Sequence, residues 1–339
     1  MAQFSILRHV VVATSRDGHR KSFSKFPSAI IELMERPPWT RSCASSYNNS
    51  FYALHIPKTA GTSFVQACQT WLPFRSCREY PYHPGTAGGS RSSPARLTST
   101  EGCLSHASQH GCMLALALVR EPRAHVLSQW AHCKGSRYAP GWARARMPPF
   151  AEWVRYYVDW ERNRTRSIDV QPSVLANFTI KTTLNEPFSC PYTPVNMQTQ
   201  RLTCLKPGVI PAPAEWEGLA SLSSTYLGRH VYHVGVAERF VASLCVLATK
   251  MLGHVPSSCL CARDPDVGPG NVSAASAKVA HTNHGVRHHN VDEYPEQVLE
   301  MVDSITQADQ QVYAAARVIL DEEIRRIEAL HGVRTECWK

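Results

Sequence analysis

Two short stretches of the chain carry residue types and spacings suited to holding phosphate. The first, Phe51-Tyr-Ala-Leu-His-Ile-Pro-Lys-Thr-Ala-Gly-Thr-Ser63, reads as an apolar strand and a tight turn bearing a lysine. A glycine and two hydroxyl residues then open a helix. Such a turn gathers backbone N–H groups onto one point, where the positive end of the helix dipole and the Lys58 ammonium add charge. The order is not that of a Walker loop. Lys58 stands before Gly61 rather than after it, Thr62 and Ser63 follow, and no G-x-x-x-x-G-K-[ST] occurs. The second stretch, Met113-Leu-Ala-Leu-Ala-Leu-Val119, is a continuous apolar run followed at once by Arg120-Glu-Pro-Arg-Ala-His-Val-Leu-Ser-Gln-Trp130. A guanidinium at a strand end offers a rigid fork of donors to phosphate oxygens, and the Ser128 hydroxyl, further along the next helix, can complete the pocket. Pro122 suits the first turn of that helix, where its missing N–H costs nothing.

Taken together, these residues resemble the two phosphate sites of sulfotransferases that use 3′-phosphoadenylyl sulfate (PAPS), in particular the Golgi enzymes that sulfate heparan- and chondroitin-type glycans. Three further segments are similar to the same family: Asn196-Met-Gln-Thr-Gln-Arg-Leu202, Tyr232-His-Val-Gly-Val-Ala-Glu-Arg-Phe240 and Asp309-Gln-Gln-Val-Tyr313. The likeness spans about residues 50–325, with one departure at Ala60, where the family often has glycine. The resemblance implies a P-loop-containing nucleotide-hydrolase-like α/β fold in three layers, a central parallel sheet flanked by helices. It implies PAPS as donor and adenosine 3′,5′-bisphosphate as product. Lys58, Thr59, Ala60, Gly61, Thr62 and Ser63 would surround the 5′-phosphosulfate, and Arg120 and Ser128 the 3′-phosphate.

Sulfuryl transfer to a hydroxyl requires the leaving phosphate to be neutralised and a proton to be removed from the acceptor. Lys58 is placed for the first task. For the second, His106 in Cys103-Leu-Ser-His106 is the favoured base, because catalytic histidines of the heparan-type enzymes stand in a similar position. His83 and His110 are alternatives, and Glu79 or Glu101 would serve if neither of the leading histidines approaches Lys58. His55, in the first strand, reads as a packed residue. Four histidines between His281 and His289 match no defined ligand spacing, so no metal is expected. Asn283 and Arg287 in that stretch could belong to a loop closing over the donor.

The elements that must position these groups follow from pattern and punctuation. A strand at about 51–56 leads into a helix at about 61–71, stopped by Pro73. Residues 81–100, rich in Pro, Gly, Ser and Thr, read as a surface loop. A buried strand at 113–119 feeds a helix at about 122–133. The aromatic residues between Met147 and Trp160 fall at helical spacing. Residues 165–215 read as loop-rich, the segment from Tyr232 as a strand running into a helix at about 238–252, and residues 264–270 as a loop. Residues 295–330 keep a helical period through one or two helices. Residues 1–46 read as a lead-in or stem, and the resemblance implies a sulfotransferase domain over residues 47–335. In open sheets of this kind the phosphate loop lies at the carboxyl end of the first strand.

The chain of 339 residues is long enough for a large α/β core, and its 36 Lys and Arg against 27 Asp and Glu give a net charge of +9. That balance suits an anionic partner. No basic block, zinc-finger spacing or RNP-like strand is present, so nucleic acid is the weaker candidate, and the resemblance implies a carbohydrate acceptor, an anionic one given that charge. Twelve cysteines without paired C-x-x-C units suggest disulfides, and sequons at Asn48, Asn163, Asn177 and Asn271 agree with a glycoprotein of the secretory route, for which the resemblance implies the Golgi lumen or membrane. No apolar run of membrane-spanning length occurs, so the membrane anchor usual in Golgi sulfotransferases is not expected within this chain. Two other readings remain open. One is a nucleotide or small-molecule kinase, which would need a hydroxyl after a Gly-Lys pair and a strand-end aspartate. The other is a catalytically inactive glycan-binding relative.

Overall fold

In the computed structural model, residues 50–71, 76–80, 96–100, 114–135, 145–169, 190, 192–203, 209–261 and 290–338 are described. Alternation along two strands sets the layering. In β1 (Ser50–Leu54), Tyr52 and Leu54 join one buried cluster, and Phe51 and Ala53 join another. In β4 (Leu114–Val119), Ala115, Ala117 and Val119 go with the first cluster, Leu116 and Leu118 with the second. Side chains of a strand point alternately to opposite faces, so this sheet is buried on both, as parallel sheets usually are.

The sheet has five strands in the order β2 (Ser76–Tyr80), β3 (Arg96–Thr100), β1, β4, β7 (His233–Val236), and every neighbouring pair is parallel. One face is covered by α1 (Gly61–Trp71), through Phe64, Val65 and Ala67, and by α6 (Phe240–Leu252), through Phe240, Leu244, Leu247 and Ala248. On the other face lie α2 (Pro122–Gly135), α3 (Phe150–Asn163), α5 (Trp216–His230), α7 (Glu296–Ile305) and α8 (Gln307–His331). Trp153, Tyr157, Tyr226, Val302, Val312 and Leu320 bring those helices into one core. A short antiparallel pair, β5 (Ile168–Asp169) with β6 (Val209–Ile210), and the short helix α4 (Met197–Thr203) complete the described elements used below. The chain is thus mixed α/β, mostly helical, with a parallel sheet between helices.

Strand order places the site. From β1 the chain goes to β2 and β3 on one side, then crosses to β4 and β7 on the other. The connections reverse between β1 and its neighbours, and the carboxyl ends of β1 and β4 lie side by side there. Open α/β sheets bind ligands in that crevice.

Most elements fall where the pattern predicts. The helix after the lysine turn is Gly61–Trp71, and the tail is two helices broken at Thr306, whose N–H bonds to the Asp303 carbonyl and whose hydroxyl bonds to that of Val302. The stretch read as loop over 81–100 differs, because its end, Arg96–Thr100, is strand β3. Leu97 and Ser99 there are buried, and threonines at 98 and 100 have the β-branching that suits a pleated surface. The turn-rich composition just upstream masked a short strand.

Three disulfides join described cysteines: Cys133–Cys190, Cys245–Cys259 and Cys261–Cys337. They are compatible with a secreted or lumenal protein. Among the described residues no helix is long and apolar enough to cross a membrane. The last two disulfides chain α6 to the turn Ser257–Cys259 and that turn to the C-terminal turn Glu336–Trp338. Trp338 closes the arrangement. It is 1% exposed, and its indole N–H donates to the Cys259 carbonyl (2.6 Å). Trp338→Ala is expected to lower unfolding free energy by about 3–5 kcal/mol, read as a lower urea midpoint.

Candidate anion site between the first and fourth strands

The loop leaving β1 turns tightly on one carbonyl. Ile56 O accepts from the Thr59 N–H (3.3 Å) and from the Thr59 hydroxyl (2.9 Å), which buries Thr59 completely. Lys58 and Ala60 have φ of 68° and 66°, the left-handed region that non-glycine residues seldom occupy. Helix α1 starts at once, with the Phe64 N–H donating to Ala60 O (2.9 Å). Left-handed residues set among ordinary ones turn successive N–H groups toward one side, the geometry of an anion-binding concavity. Thr62 is half-buried in the first helical turn and Ser63 is buried. Gly61 is required for a different reason. A Cβ there would lie 2.0 Å from Cδ2 of His55, so the buried His55 ring occupies the space a side chain would need.

Two side chains of the second motif grip this loop from below. Arg120 Nη1 donates to the Lys58 carbonyl (3.1 Å), and Nε2 of His125 lies 2.7 Å from the Pro57 carbonyl. His125 is fully buried. Burial pushes its pKa down to about 3, against the pull of the Pro57 carbonyl, and the charges of Arg120 and Lys58 push the same way as burial. The ring is therefore neutral, with Nε2–H donating to Pro57 and Nδ1 left to accept from Gln129 Nε2 (3.3 Å). Two consecutive carbonyls are held toward Arg120 and the helix that follows it, so the N–H of Lys58, in the same peptide as the Pro57 carbonyl, turns the other way, because the peptide is planar.

Arg120 is itself fixed at both ends. Its backbone N–H donates to Gln198 Oε1, and Gln198 Nε2 donates back to its carbonyl, each at 2.8 Å. Its Nε lies 3.7 Å from Glu238. Burial lowers the Arg120 pKa, while Glu238 and Glu121 raise it. Glu238 is pushed up by its own burial, accepts from the Glu121 N–H (3.1 Å) and receives the Tyr313 hydroxyl (3.3 Å). The Glu121 carboxylate caps α2, accepting from the N–H groups of Arg123 (3.1 Å) and Ala124 (2.6 Å). Those two amides of α2 are thus used internally, and an anion beside α2 would rest on side chains.

Gln198 belongs to a pair of helix starts that cap each other. Asn196, at φ 44°, accepts through Oδ1 from the N–H groups of Ala308 (2.9 Å) and Asp309 (3.2 Å) at the start of α8. Asp309 in turn accepts from Gln198 N (3.1 Å), Thr199 N (2.7 Å) and the Thr199 hydroxyl (2.8 Å) at the start of α4. Burial raises the Asp309 carboxyl to about 6, against those three bonds.

The residues read from sequence thus come together in part. Lys58 and Arg120 meet, although 62 positions apart. Ser128 is half-buried on α2, on the helical face shared by Ala124 and His132. His106, His83, His110, Glu101 and the histidines from His281 to His289 lie outside the described residues. Glu79 lies in β2, separated from β1 by β3. Among the described residues no group of His, Cys, Asp or Glu is placed to hold a metal. Sequence reasoning missed His125, His132 and Tyr192. Two of them were within reach: His125 stands five residues after Arg120, and His132 one helical turn after Ser128.

No protein-family model matches this chain, and no curated protein matches its sequence.

Left-handed backbone at an alanine costs about 1–2 kcal/mol, partly offset by the lower freedom of alanine in the unfolded chain. Ala60→Gly is therefore expected to raise stability by about 0.5–1 kcal/mol in urea unfolding, and an unchanged or lower midpoint would contradict the strain at this turn. Asp309→Asn sets an amide donor against N–H groups and should lower stability by about 1–3 kcal/mol at pH 4. The wild-type carboxyl binds its proton more tightly folded than unfolded, so its contribution is full below about pH 4 and declines as pH rises through about 6. The difference between the two proteins should accordingly narrow toward pH 7, and widening would overturn the sign.

Proposed function

We propose that this protein transfers a sulfuryl group from PAPS to a carbohydrate hydroxyl, within a fold of the P-loop-like nucleotide-binding type and in the Golgi lumen. The observation that carries the reading is the contact of Arg120 with the Lys58 carbonyl, which joins the two phosphate stretches into one cationic site at the reversal point of the sheet. The residues present fit a ligand with two separated anionic groups. The lysine turn offers left-handed peptides, a helix start and an ammonium. Arg120 and Ser128 offer a guanidinium and a hydroxyl alongside.

When bound, PAPS supplies a sulfuryl group activated by a phosphate leaving group. The chain's own part is to hold the phosphates and neutralise charge. Lys58 answers the negative charge that grows on the leaving oxygen. The loop amides of residues 59–63 are assigned to the 5′-phosphate, with Thr59 N–H already shared with Ile56. Proton removal from the acceptor is assigned to His106, with His83 as the alternative. The net charge of +9 suits an anionic glycan acceptor. A kinase is disfavoured because β4 is followed by Arg120 rather than an aspartate.

Calorimetry with adenosine 3′,5′-bisphosphate and with ATP-Mg²⁺ tests the reading. The bisphosphate should bind and ATP-Mg²⁺ should not. Arg120→Ala should weaken the bisphosphate by about 10–100-fold through loss of charge-assisted bonds. Preference for ATP-Mg²⁺ would point to the kinase, and binding of neither to a glycan-binding relative. Transfer of labelled sulfate from PAPS to desulfated heparin or to chondroitin then tests the acceptor class.

A further inference from the structure

The backbone of Lys58 is held by Arg120, and its side chain is held as well. Nζ lies 2.7 Å from Nδ1 of His132 and 5.6 Å from the centre of the Tyr192 ring. An ammonium has only donors, so Nδ1 must be the acceptor in this contact, which places the ring proton on Nε2. The Tyr192 face adds a cation–π attraction to the same charge. His132 is 7% exposed, as is Tyr192, and the two rings sit 5.7 Å apart.

These two side chains come from distant segments, and a covalent bond brings the segments together. Cys133 follows His132, Cys190 precedes Tyr192 by two residues, and the disulfide between them spans 57 positions with its Cα atoms 5.4 Å apart. A lysine side chain gives up rotamer freedom when it is fixed, so a lysine held at both backbone and tip has been ordered by specific neighbours. His132 also lies on the α2 face that carries Ser128. The strand-end Arg120 and the helix that follows it therefore set the guanidinium, Ser128 and the acceptor for Lys58.

We propose that His132 is a positioning residue for Lys58: its Nδ1, braced by Tyr192 and the Cys133–Cys190 disulfide, fixes where the ammonium stands in the anion site. The proposal deepens the sulfotransfer reading and rests on it for its kinetic consequence. The contact itself does not. In position, an Asn side chain can present an oxygen near where Nδ1 stood, whereas Ala presents nothing. A role in aiming Lys58 is therefore separable from a role in packing.

The test uses the full chain as wild type, His132→Asn, His132→Ala, Lys58→Met and the Lys58→Met/His132→Ala double variant. Imidazole nitrogen NMR reads the contact directly. Lys58→Met should move the His132 Nδ1 resonance, identified by its loss in His132→Asn. Kinetics with PAPS and the acceptors above read the role. His132→Ala should lower kcat about 10–100-fold, the scale of a misplaced catalytic group, while bisphosphate affinity stays within about 3-fold. His132→Asn should recover most of the loss, and His132→Ala should add nothing in the Lys58→Met background. A His132 resonance indifferent to Lys58→Met, equal losses for Asn and Ala, or losses that multiply in the double variant would each overturn the proposal. If wild type binds no bisphosphate and transfers no sulfate, the sulfotransfer reading falls, and the NMR arm still decides the Lys58–His132 contact. Should His132→Ala not fold, His132→Asn and Lys58→Met carry the comparison.

Discussion

Two consecutive carbonyls decide the shape of this site. Pro57 and Lys58 both offer their oxygens to the segment that leaves β4, one to the neutral buried imidazole of His125 on α2 and one to the guanidinium of Arg120 just before it. A turn with two left-handed non-glycine residues would not persist by itself, since each costs energy that another conformation avoids. It persists because the carbonyls are held from one side while Thr59 closes on Ile56 and Gly61 admits the His55 ring from another. The tie depends on adjacency in the sheet. β1 and β4 pair in parallel from Phe51 with Leu114 to Leu54 with Ala117, so the segments leaving them emerge side by side. Had β4 paired elsewhere, Arg120 and Lys58 would share no contact.

Behind Arg120 the structure is polar where a simpler protein would be apolar. Gln198, Asn196, Thr199 and Asp309 are all buried, and each has its bonds supplied by the others or by helix starts. Such a network is worth having only when complete, because a buried donor or acceptor left unmade costs more than a made bond returns. The reciprocal caps complete it. Each helix start satisfies the other's open N–H groups, and Gln198 has its side chain left to hold the Arg120 peptide. Glu238 and Tyr313 add a second line of support on the side of α8.

Much of this was legible from residue order. Lys58 and Arg120 were found because their neighbours have narrow physical uses: a glycine and hydroxyls at a helix start, and a proline at the first turn after a strand. The segments Asn196-Met-Gln-Thr and Asp309-Gln-Gln-Val-Tyr were noticed separately, yet nothing local said that they touch. Capping across two helices has no periodicity, and its sign is only a pair of polar residues at helix starts. His132 was hidden for a related reason. Its role comes from a lysine 74 residues earlier, and a histidine within a helix most often packs. Strand β3 was missed because a short strand following a Pro- and Gly-rich stretch leaves almost no pattern of its own.

The mutual capping of α4 and α8 also bears on how the protein is made. Arg120 is synthesised first, but the residue that anchors its support, Asp309, belongs to a much later segment. At a ribosome adding about 5–20 residues each second, β1, β4 and the lysine turn exist for many seconds before α8 emerges. Throughout that interval the Gln198 N–H lacks its Asp309 acceptor and is left to water, so the Gln198 side chain that grips the Arg120 peptide groups is not yet fixed. The cationic site is therefore completed only once the segment carrying Asp309 has left the tunnel.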